Sequence, residues 1–168
     1  MAANNVRVIK HGMTVQRLRT EANAYVGLKA GDAIKIGGTG TNYAIPCLNG
    51  DPEQATDVFL GVSKADATNT ASVDGTVDVE LCVPGTVLEI LANTVTNVNT
   101  DAKILGIVLD YLTFDRSADT AAGVLTYDED ETAGGDNDVH GFLTLDIRVT
   151  DGMCFITPGN AWIGRGAV

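Results

Sequence analysis

The stretch Asp74-Gly-Thr-Val-Asp-Val-Glu-Leu-Cys-Val-Pro-Gly85 decides the fold class of this chain. Its apolar residues take every second position, as in a strand with one buried and one solvated face. The predicted core-facing side chains are Val77, Val79, Leu81 and Val83, and the predicted solvent-facing ones are Asp78, Glu80 and Cys82. An Asp-Gly pair opens the strand and a Pro-Gly pair closes it, which is turn chemistry. The segment predicts a β-strand on the outward surface of a β domain.

Short apolar runs separated by turns rich in Gly, Pro and Asn fill most of the remaining sequence. Strands at a spacing of about 8–12 residues favour a β-sandwich or β-barrel over a βαβ fold. We therefore predict an all-β protein: a small β-sandwich or β-barrel of about nine or ten short strands, with an N-terminal arm.

Three further segments carry specific strand predictions. Residues 87–91 follow a Pro-Gly turn and are spaced to pair back on the deciding stretch as a hairpin. Residues 104–112 are nearly all apolar, which predicts a strand covered on both faces. In residues 142–149 the alternation predicts one face made of Leu143, Leu145, Ile147 and Val149.

Charge divides the chain into two parts. The net charge is −11 over 168 residues; residues 1–35 hold six basic and two acidic side chains, whereas residues 36–168 hold five and twenty. This asymmetry predicts a basic N-terminal arm, residues 1–24, on an acidic β domain, residues 25–168. We expect the arm to gain order from a partner or a neighbouring subunit; an ordinary first strand packed on its own domain is the alternative.

The composition also bears on compartment and partners. Because nucleic-acid binding needs clustered Lys and Arg, the acidic domain predicts no nucleic-acid partner. No apolar run reaches the roughly 18–20 residues that span a bilayer, and the N-terminal residues lack an apolar signal segment. We expect no membrane partner and synthesis in a cytoplasm. Cys47, Cys82 and Cys154 have neither metal-ligand nor redox spacing, which predicts reduced, partly buried thiols.

Motifs for catalysis and phosphate binding are incomplete. The segment Gly61-Val-Ser-Lys-Ala65 is close to a nucleophile elbow, but Ala65 replaces the second Gly and a polar loop follows where a helix is needed. The segment Gly37-Gly-Thr-Gly-Thr41 lacks the Lys-Ser/Thr ending of a phosphate loop. We predict no enzyme activity, no catalytic residues and no cofactor, with Ser63 as a loop residue at a strand end.

The acidic segment 128–138 is the strongest candidate for a metal site. It holds Asp128, Glu129, Asp130, Glu131, Asp136 and Asp138. Calcium prefers several oxygens converging from a bent loop, but the EF-hand spacing of Gly and the terminal Glu is missing. A run of like charge is usually a solvated loop. We predict a solvated loop and no metal ligands, with an opportunistic cation site as the alternative.

Four segments together resemble the capsid decoration (cement) proteins of tailed bacteriophages, over roughly residues 25–112. They are Ala30-Gly-Asp-Ala-Ile34, Phe59-Leu-Gly-Val-Ser63, Asp74-Gly-Thr-Val-Asp-Val79 leading to Pro84-Gly-Thr86, and Ile104-Leu-Gly-Ile-Val108. The resemblance implies a β-rich virion protein that binds the outer surface of an icosahedral capsid, bridges capsomers and reinforces the shell. Its implied partners are the major capsid protein and itself, as a trimer or dimer. It implies neither catalysis nor a cofactor.

The basic arm is the predicted contact surface for the shell, through Arg7, Lys10, Arg17 and Arg19. Complementary charge speeds encounter, while repeated weak contacts add up to durable attachment. Two other functions remain alternatives. One is a different virion β-protein, such as a tail or fibre-associated module, and the other is a ligand-binding or enzymatic β-barrel.

Overall fold

The computed structural model describes residues 7–10, 14–22, 26–37, 43–48, 50–51, 58–83, 85–117, 123–129 and 141–158, and for 7–10 only the backbone. These residues form twelve strands, one short helix, α1 (Asp101–Ile104), and a 3-10 turn at Val95–Asn97. The strands are β1 (Arg7–Lys10), β2 (Val15–Thr20), β3 (Ala33–Gly37), β4 (Tyr43–Pro46), β5 (Val58–Ser63), β6 (Gly75–Leu81), β7 (Val87–Leu91), β8 (Tyr111–Leu112), β9 (Phe114–Arg116), β10 (Leu125–Tyr127), β11 (Phe142–Arg148) and β12 (Met153–Pro158).

Two five-stranded sheets and a two-stranded ribbon account for all of these strands. The first sheet has the order β1-β7-β12-β11-β8, and the second has the order β2-β6-β5-β3-β4. The ribbon pairs β9 with β10. Every pair of named strands is antiparallel. The predicted all-β class is confirmed, and the layered arrangement is that of a small β-sandwich.

The main core lies between the two sheets. The rings of Phe59 on β5 and Phe142 on β11 meet edge to face, with their centroids 4.9 Å apart, so the contact joins one strand of each sheet. Phe114 on the ribbon packs against Phe142 with centroids 4.5 Å apart. Aromatic pairs at these separations add to the stabilisation that burial alone gives.

A second, smaller core covers the opposite face of the second sheet. It contains Leu28, Ile34, Ala44, Val77 and Val79, all buried. The sheet curls around this core, since residues of β2 and β4, at its two ends in the strand order, come into contact. Curling a sheet towards a barrel shields apolar side chains on its concave face.

A fully buried ion pair joins the ribbon to the second sheet. The Arg116 guanidinium, at the end of β9, donates from Nη2 to Asp32 Oδ1 at 3.0 Å, and both side chains have 0% exposure. It also donates from Nε to the Cys47 carbonyl at 3.0 Å and from Nη1 to the Gly123 carbonyl at 2.8 Å. A buried charge needs this degree of pairing because desolvation otherwise makes it very costly.

The stretch from Asp74 to Gly85 contains β6, but the prediction that its second face is exposed to solvent is largely wrong. Val77 and Val79 are buried as predicted, yet Glu80 and Cys82 are buried too, and Val83 is 45% exposed. Beyond Asp78 the second face of β6 turns towards the main core, which includes Cys82. The Glu80 carboxylate accepts a hydrogen bond from Lys64 Nζ at 2.8 Å.

The predicted strand over residues 104–112 is also wrong. This segment contains the end of α1, a series of turns and the two-residue strand β8. Its apolar residues divide between two environments: Ile104, Ile107 and Val108 pack on the main core, whereas Leu105 and Leu109 are 80% and 71% exposed. Helical and turn backbone points neighbouring side chains in different directions, so a continuous apolar run need not be covered on both faces.

A pairing prediction and a prediction of a shared face also fail. Strand β7 does not fold back on β6; it lies in the first sheet between β1 and β12. Strand β11 carries a register shift between Thr144 and Asp146, so Ile147 is buried while Leu145 is 37% exposed. A bulge of this kind moves all later side chains to the other face.

The predicted arm contributes one edge strand to each sheet. β1 pairs with β7, and β2 pairs with β6 over its whole length. An ordinary strand packed on its own domain, the alternative considered above, therefore describes residues 7–10 and 15–20. The domain boundary at residues 24/25 stays a prediction, and residues 23–25 lie outside the described part of the chain.

Candidate interaction surface

The outward face of β2 presents two arginines on an edge strand of the second sheet. The side chains of Arg17 and Arg19 are 71% and 69% exposed. Arg17 lies opposite Asp78 in the antiparallel register, and it donates from Nε and Nη2 to the two carboxylate oxygens at 2.8 and 3.0 Å. These hydrogen bonds lower the pKa of Asp78 below its ordinary value. The pair holds the Arg17 guanidinium in a fixed orientation at the surface.

Arg19 is held by a second cluster, which joins the two ends of the curled sheet. Its guanidinium lies 5.3 Å from the centre of the Tyr43 ring on β4, and its Nη2 donates to Asp74 at 3.1 Å. Tyr43 Oη donates to the same Asp74 oxygen at 2.7 Å, and this hydrogen bond is the largest cause of the lowered pKa of Asp74. A cation over an aromatic face is attracted by the ring quadrupole.

An apolar cleft of about 460 Å³ opens between β2 and β4. Leu18, Ile36, Leu60 and Leu81 contribute apolar side chains, while Arg17 and Arg19 lie among its polar lining residues. We call this surface the arginine-edged cleft. Concave apolar surfaces with a few fixed polar groups are the usual form of binding sites in proteins, and barrel mouths are a common place for them.

The four predicted contact residues are thus divided between two sheets. Arg7 and Lys10 lie on β1, the edge of the first sheet, and their side chains are outside the described part of the structure. Arg17 and Arg19 lie on β2, the edge of the second sheet. Exposed edge strands are common pairing sites for other chains, and charged side chains restrict which chains can pair there.

Sequence reasoning found the arginines but missed the cleft. Ile36, Leu60 and Leu81 belong to strands that any apolar pattern assigns to a core. They line a cleft that forms where β2 approaches β4 around the curled sheet, a contact between parts of the chain about 25 residues apart. No local signal in the sequence could have indicated it.

Ser63, which was considered for catalysis, and the three cysteines are buried within the fold. Ser63 ends β5 and is buried; its hydroxyl donates to the Lys29 carbonyl and accepts from the Asp32 amide at 2.9 Å. Cys47, Cys82 and Cys154 are all buried, and the described residues form no disulfide with them; burial raises the pKa of Cys82 to about 12. A thiol with such a pKa is a poor nucleophile.

The acidic segment 128–138 lies mostly outside the described residues, which include only Asp128 and Glu129 of it. Glu129 is buried, and its Oε1 accepts from the Thr94 amide at 2.9 Å and from Asn97 Nδ2 at 3.1 Å. The described parts of the chain contain no group of three or more side chains suited to a metal ion. The cation alternative for residues 128–138 remains a prediction.

Comparisons with protein-family models, curated proteins and solved structures found no match to this chain. Within the described ranges, no helix combines the length and hydrophobicity that a bilayer crossing requires.

Proposed function

We propose that this chain is a structural virion protein that binds the outer surface of an icosahedral phage capsid as an oligomer and bridges its capsomers. The observation that carries the proposal is the placement of two exposed arginines, each paired with an aspartate, on the edge strand β2 beside an apolar cleft. This is a surface suited to contact with another protein. The resemblance of residues 25–112 to capsid decoration proteins supplies the identity of that partner.

The charge layout supports attachment in one orientation. Apart from the basic residues near the N-terminus, residues 36–168 carry five basic and twenty acidic side chains. An acidic shell surface would repel most of the molecule and attract the edges formed by β1 and β2. Such steering raises the association rate and favours one orientation, while apolar contacts determine how slowly the complex dissociates.

The fixed geometry of the arginines also favours a binding role. Arg17 and Arg19 each bind one aspartate, and those contacts leave further N–H groups of each guanidinium for an acceptor on a partner. Because each side chain already has hydrogen-bond partners in the free protein, less conformational entropy is lost on binding than for arginines without partners. Many weak contacts repeated over a capsid lattice would then give durable attachment.

Association with intact particles tests the proposal. Phage particles purified from an infected host should contain the chain in a fixed copy number that matches the capsid lattice, measured by quantitative mass spectrometry. Gold-labelled antibodies should mark the head. Label confined to the tail would instead identify a tail module, and absence from purified particles would overturn a virion role.

A further inference from the structure

Two side-chain oxygen atoms near the end of β2 are buried without a protein partner. Thr20, the last residue of the strand, has 0% exposure, and Asn69 in the loop before β6 has 8%. Within the described part of the chain, neither the Thr20 hydroxyl oxygen nor Asn69 Oδ1 has a hydrogen-bond partner. Buried polar atoms in proteins almost always have one, supplied either by the protein or by ordered water. Both atoms therefore indicate a bound group.

The strand register places the Thr20 side chain on the concave face of the second sheet. Leu18 lies opposite Val77; Val77 belongs to the smaller core on that face, and Leu18 packs against it. Thr20 lies opposite Gly75, two residues farther along each strand. Because side chains two residues apart share a face, and directly opposite residues share it too, Thr20 points to the same side as Leu18.

Asn69 fills the space that a side chain at position 75 would otherwise occupy. A Cβ atom on Gly75 would lie 2.1 Å from the Asn69 backbone nitrogen and 2.5 Å from its Cα. Cβ positions of directly opposite residues are about 4.5–5.5 Å apart, so Asn69 is the neighbour of Thr20 across the glycine. Asn69 Nδ2 also donates to the Glu21 carbonyl at 2.6 Å, which holds the amide group beside the end of β2.

The chemistry of the two oxygens suits a small neutral donor. Asn69 Oδ1 is an acceptor, and the Thr20 hydroxyl can both donate and accept. A water molecule carries two donors and two acceptors, so one water can bind both side chains at once. Calcium and magnesium prefer carboxylate ligands, whereas neither of these side chains carries a charge.

We infer that one buried water molecule binds between the Thr20 hydroxyl and Asn69 Oδ1. It donates to Asn69 Oδ1 and shares a hydrogen bond with Thr20, and so joins the end of β2 to the loop before β6. Since an edge strand is paired on one side only, this link limits fraying of the strand that presents Arg17 and Arg19. The inference concerns the folded chain alone and goes beyond the proposed function.

A crystal structure of the unmodified chain, at a resolution that shows ordered water, tests the site directly. The expected result is density for one water within hydrogen-bond distance of both oxygens. A direct hydrogen bond between Thr20 and Asn69, or a contact without density between them, would overturn the inference. So would density with the short octahedral contacts of a metal ion.

The sign of one substitution gives an independent test in solution. Thr20→Val replaces the hydroxyl with a methyl group of similar size. If the water is bound, the variant removes one of its partners, so the urea midpoint should fall. If the hydroxyl has no partner at all, its removal should leave the midpoint unchanged or raise it, and that result contradicts the inference. Thr20→Ser keeps the hydroxyl and should keep the water in its crystal structure.

Thr86→Val is the matched control for the size of this loss. Thr86 is also buried, with 1% exposure, and its hydroxyl accepts from the Val83 amide at 3.1 Å. Its urea midpoint should fall because a hydrogen bond is lost, and the fall for Thr20→Val should be of the same order.

Hydrogen exchange locates the effect of the site on β2. In Thr20→Val, the backbone amides of β2 should exchange several-fold faster than in the unmodified chain, whereas those of β12 in the first sheet should change little. Equal acceleration in both strands, or none in β2, would contradict a link at the end of β2. If Thr20→Val does not fold, the crystal structure of the unmodified chain still decides whether the water is bound.

Discussion

Two arginine–aspartate pairs in this molecule have similar hydrogen-bond distances and opposite surroundings. Arg116 and Asp32 are joined at 3.0 Å with both side chains fully buried, whereas Arg17 and Asp78 are joined at 2.8 Å with 71% and 31% of their side chains exposed. The buried pair lost its hydration when the chain folded, so each partner depends on the other. The exposed pair is hydrated on its outer side and screened by salt.

The difference separates arginines that stabilise the fold from arginines that are available to bind a partner. Arg116 has all three of its guanidinium nitrogens engaged with Asp32 and two backbone carbonyls. Arg17 keeps N–H groups that face solvent beside an apolar cleft. Loss of Arg116 should therefore be seen in stability, and loss of Arg17 in binding.

Removing the buried arginine should cause the largest loss in the free energy of unfolding. Arg116→Met removes the buried countercharge of Asp32, whose carboxylate also accepts a hydrogen bond from the Lys29 amide; breaking such a pair costs about 3–5 kcal/mol of unfolding free energy. Urea denaturation followed by circular dichroism measures it. Arg17→Met is the matched control and should leave the urea midpoint close to that of the unmodified chain. Equal losses from both substitutions would contradict the contrast between the two pairs.

The sequence predicted the fold class because strand and turn signals are local. The alternation at Val77 and Val79 and the turns of Gly, Pro and Asn are sufficient for an all-β assignment. The sequence could not predict that Arg116 is buried, since an arginine after Phe114 and Asp115 is expected to be a surface residue at a strand end. That burial depends on contacts with Asp32 and Cys47, which are distant in the chain.

Charge reversal at Glu80 should cause the next largest loss in the free energy of unfolding. The sequence placed Glu80 on a solvated face, where reversal would be harmless, but its side chain is 9% exposed and is paired with Lys64 at 2.8 Å. Glu80→Lys places a second cation, on a mostly buried side chain, next to Lys64 and should cost about 2–4 kcal/mol of unfolding free energy. Chemical denaturation is again the measurement, and Glu80→Gln, which keeps an acceptor for Lys64, should lose less. An unchanged midpoint for Glu80→Lys would restore the solvent-facing prediction.

The candidate site was predictable only in part. Arg17 and Arg19 stand out because basic residues are concentrated near the N-terminus of an acidic chain. The cleft beside them depends on how β2 and β4 meet, and the exposure of Leu105 and Leu109 depends on turns within an apolar run. Both are results of tertiary packing, which periodicity over a short window does not report.

A small effect should appear in the titration of the exposed pair. The hydrogen bonds from Arg17 lower the pKa of Asp78 in the folded state. A folded pKa below the unfolded one means that the pair stabilises the fold above the ordinary aspartate range, and that this contribution is lost as the pH falls through the folded pKa. In Arg17→Gln the pKa of Asp78 should rise towards its ordinary value, measured by NMR titration of the carboxyl carbon. No change would show that the pair does not persist in solution.

Particle binding and stability, measured together on one variant, test the central claim most directly. Arg17→Glu with Arg19→Glu should greatly reduce the fraction of protein that sediments with intact particles, while the protein remains folded up to a similar urea midpoint. Lys29→Glu is the control, because Lys29 forms an exposed pair with Asp66 at 2.7 Å away from the cleft. It should bind particles like the unmodified chain. Undiminished binding of the double variant, or equal loss in both proteins, would contradict the claim that the β2 edge is the binding surface.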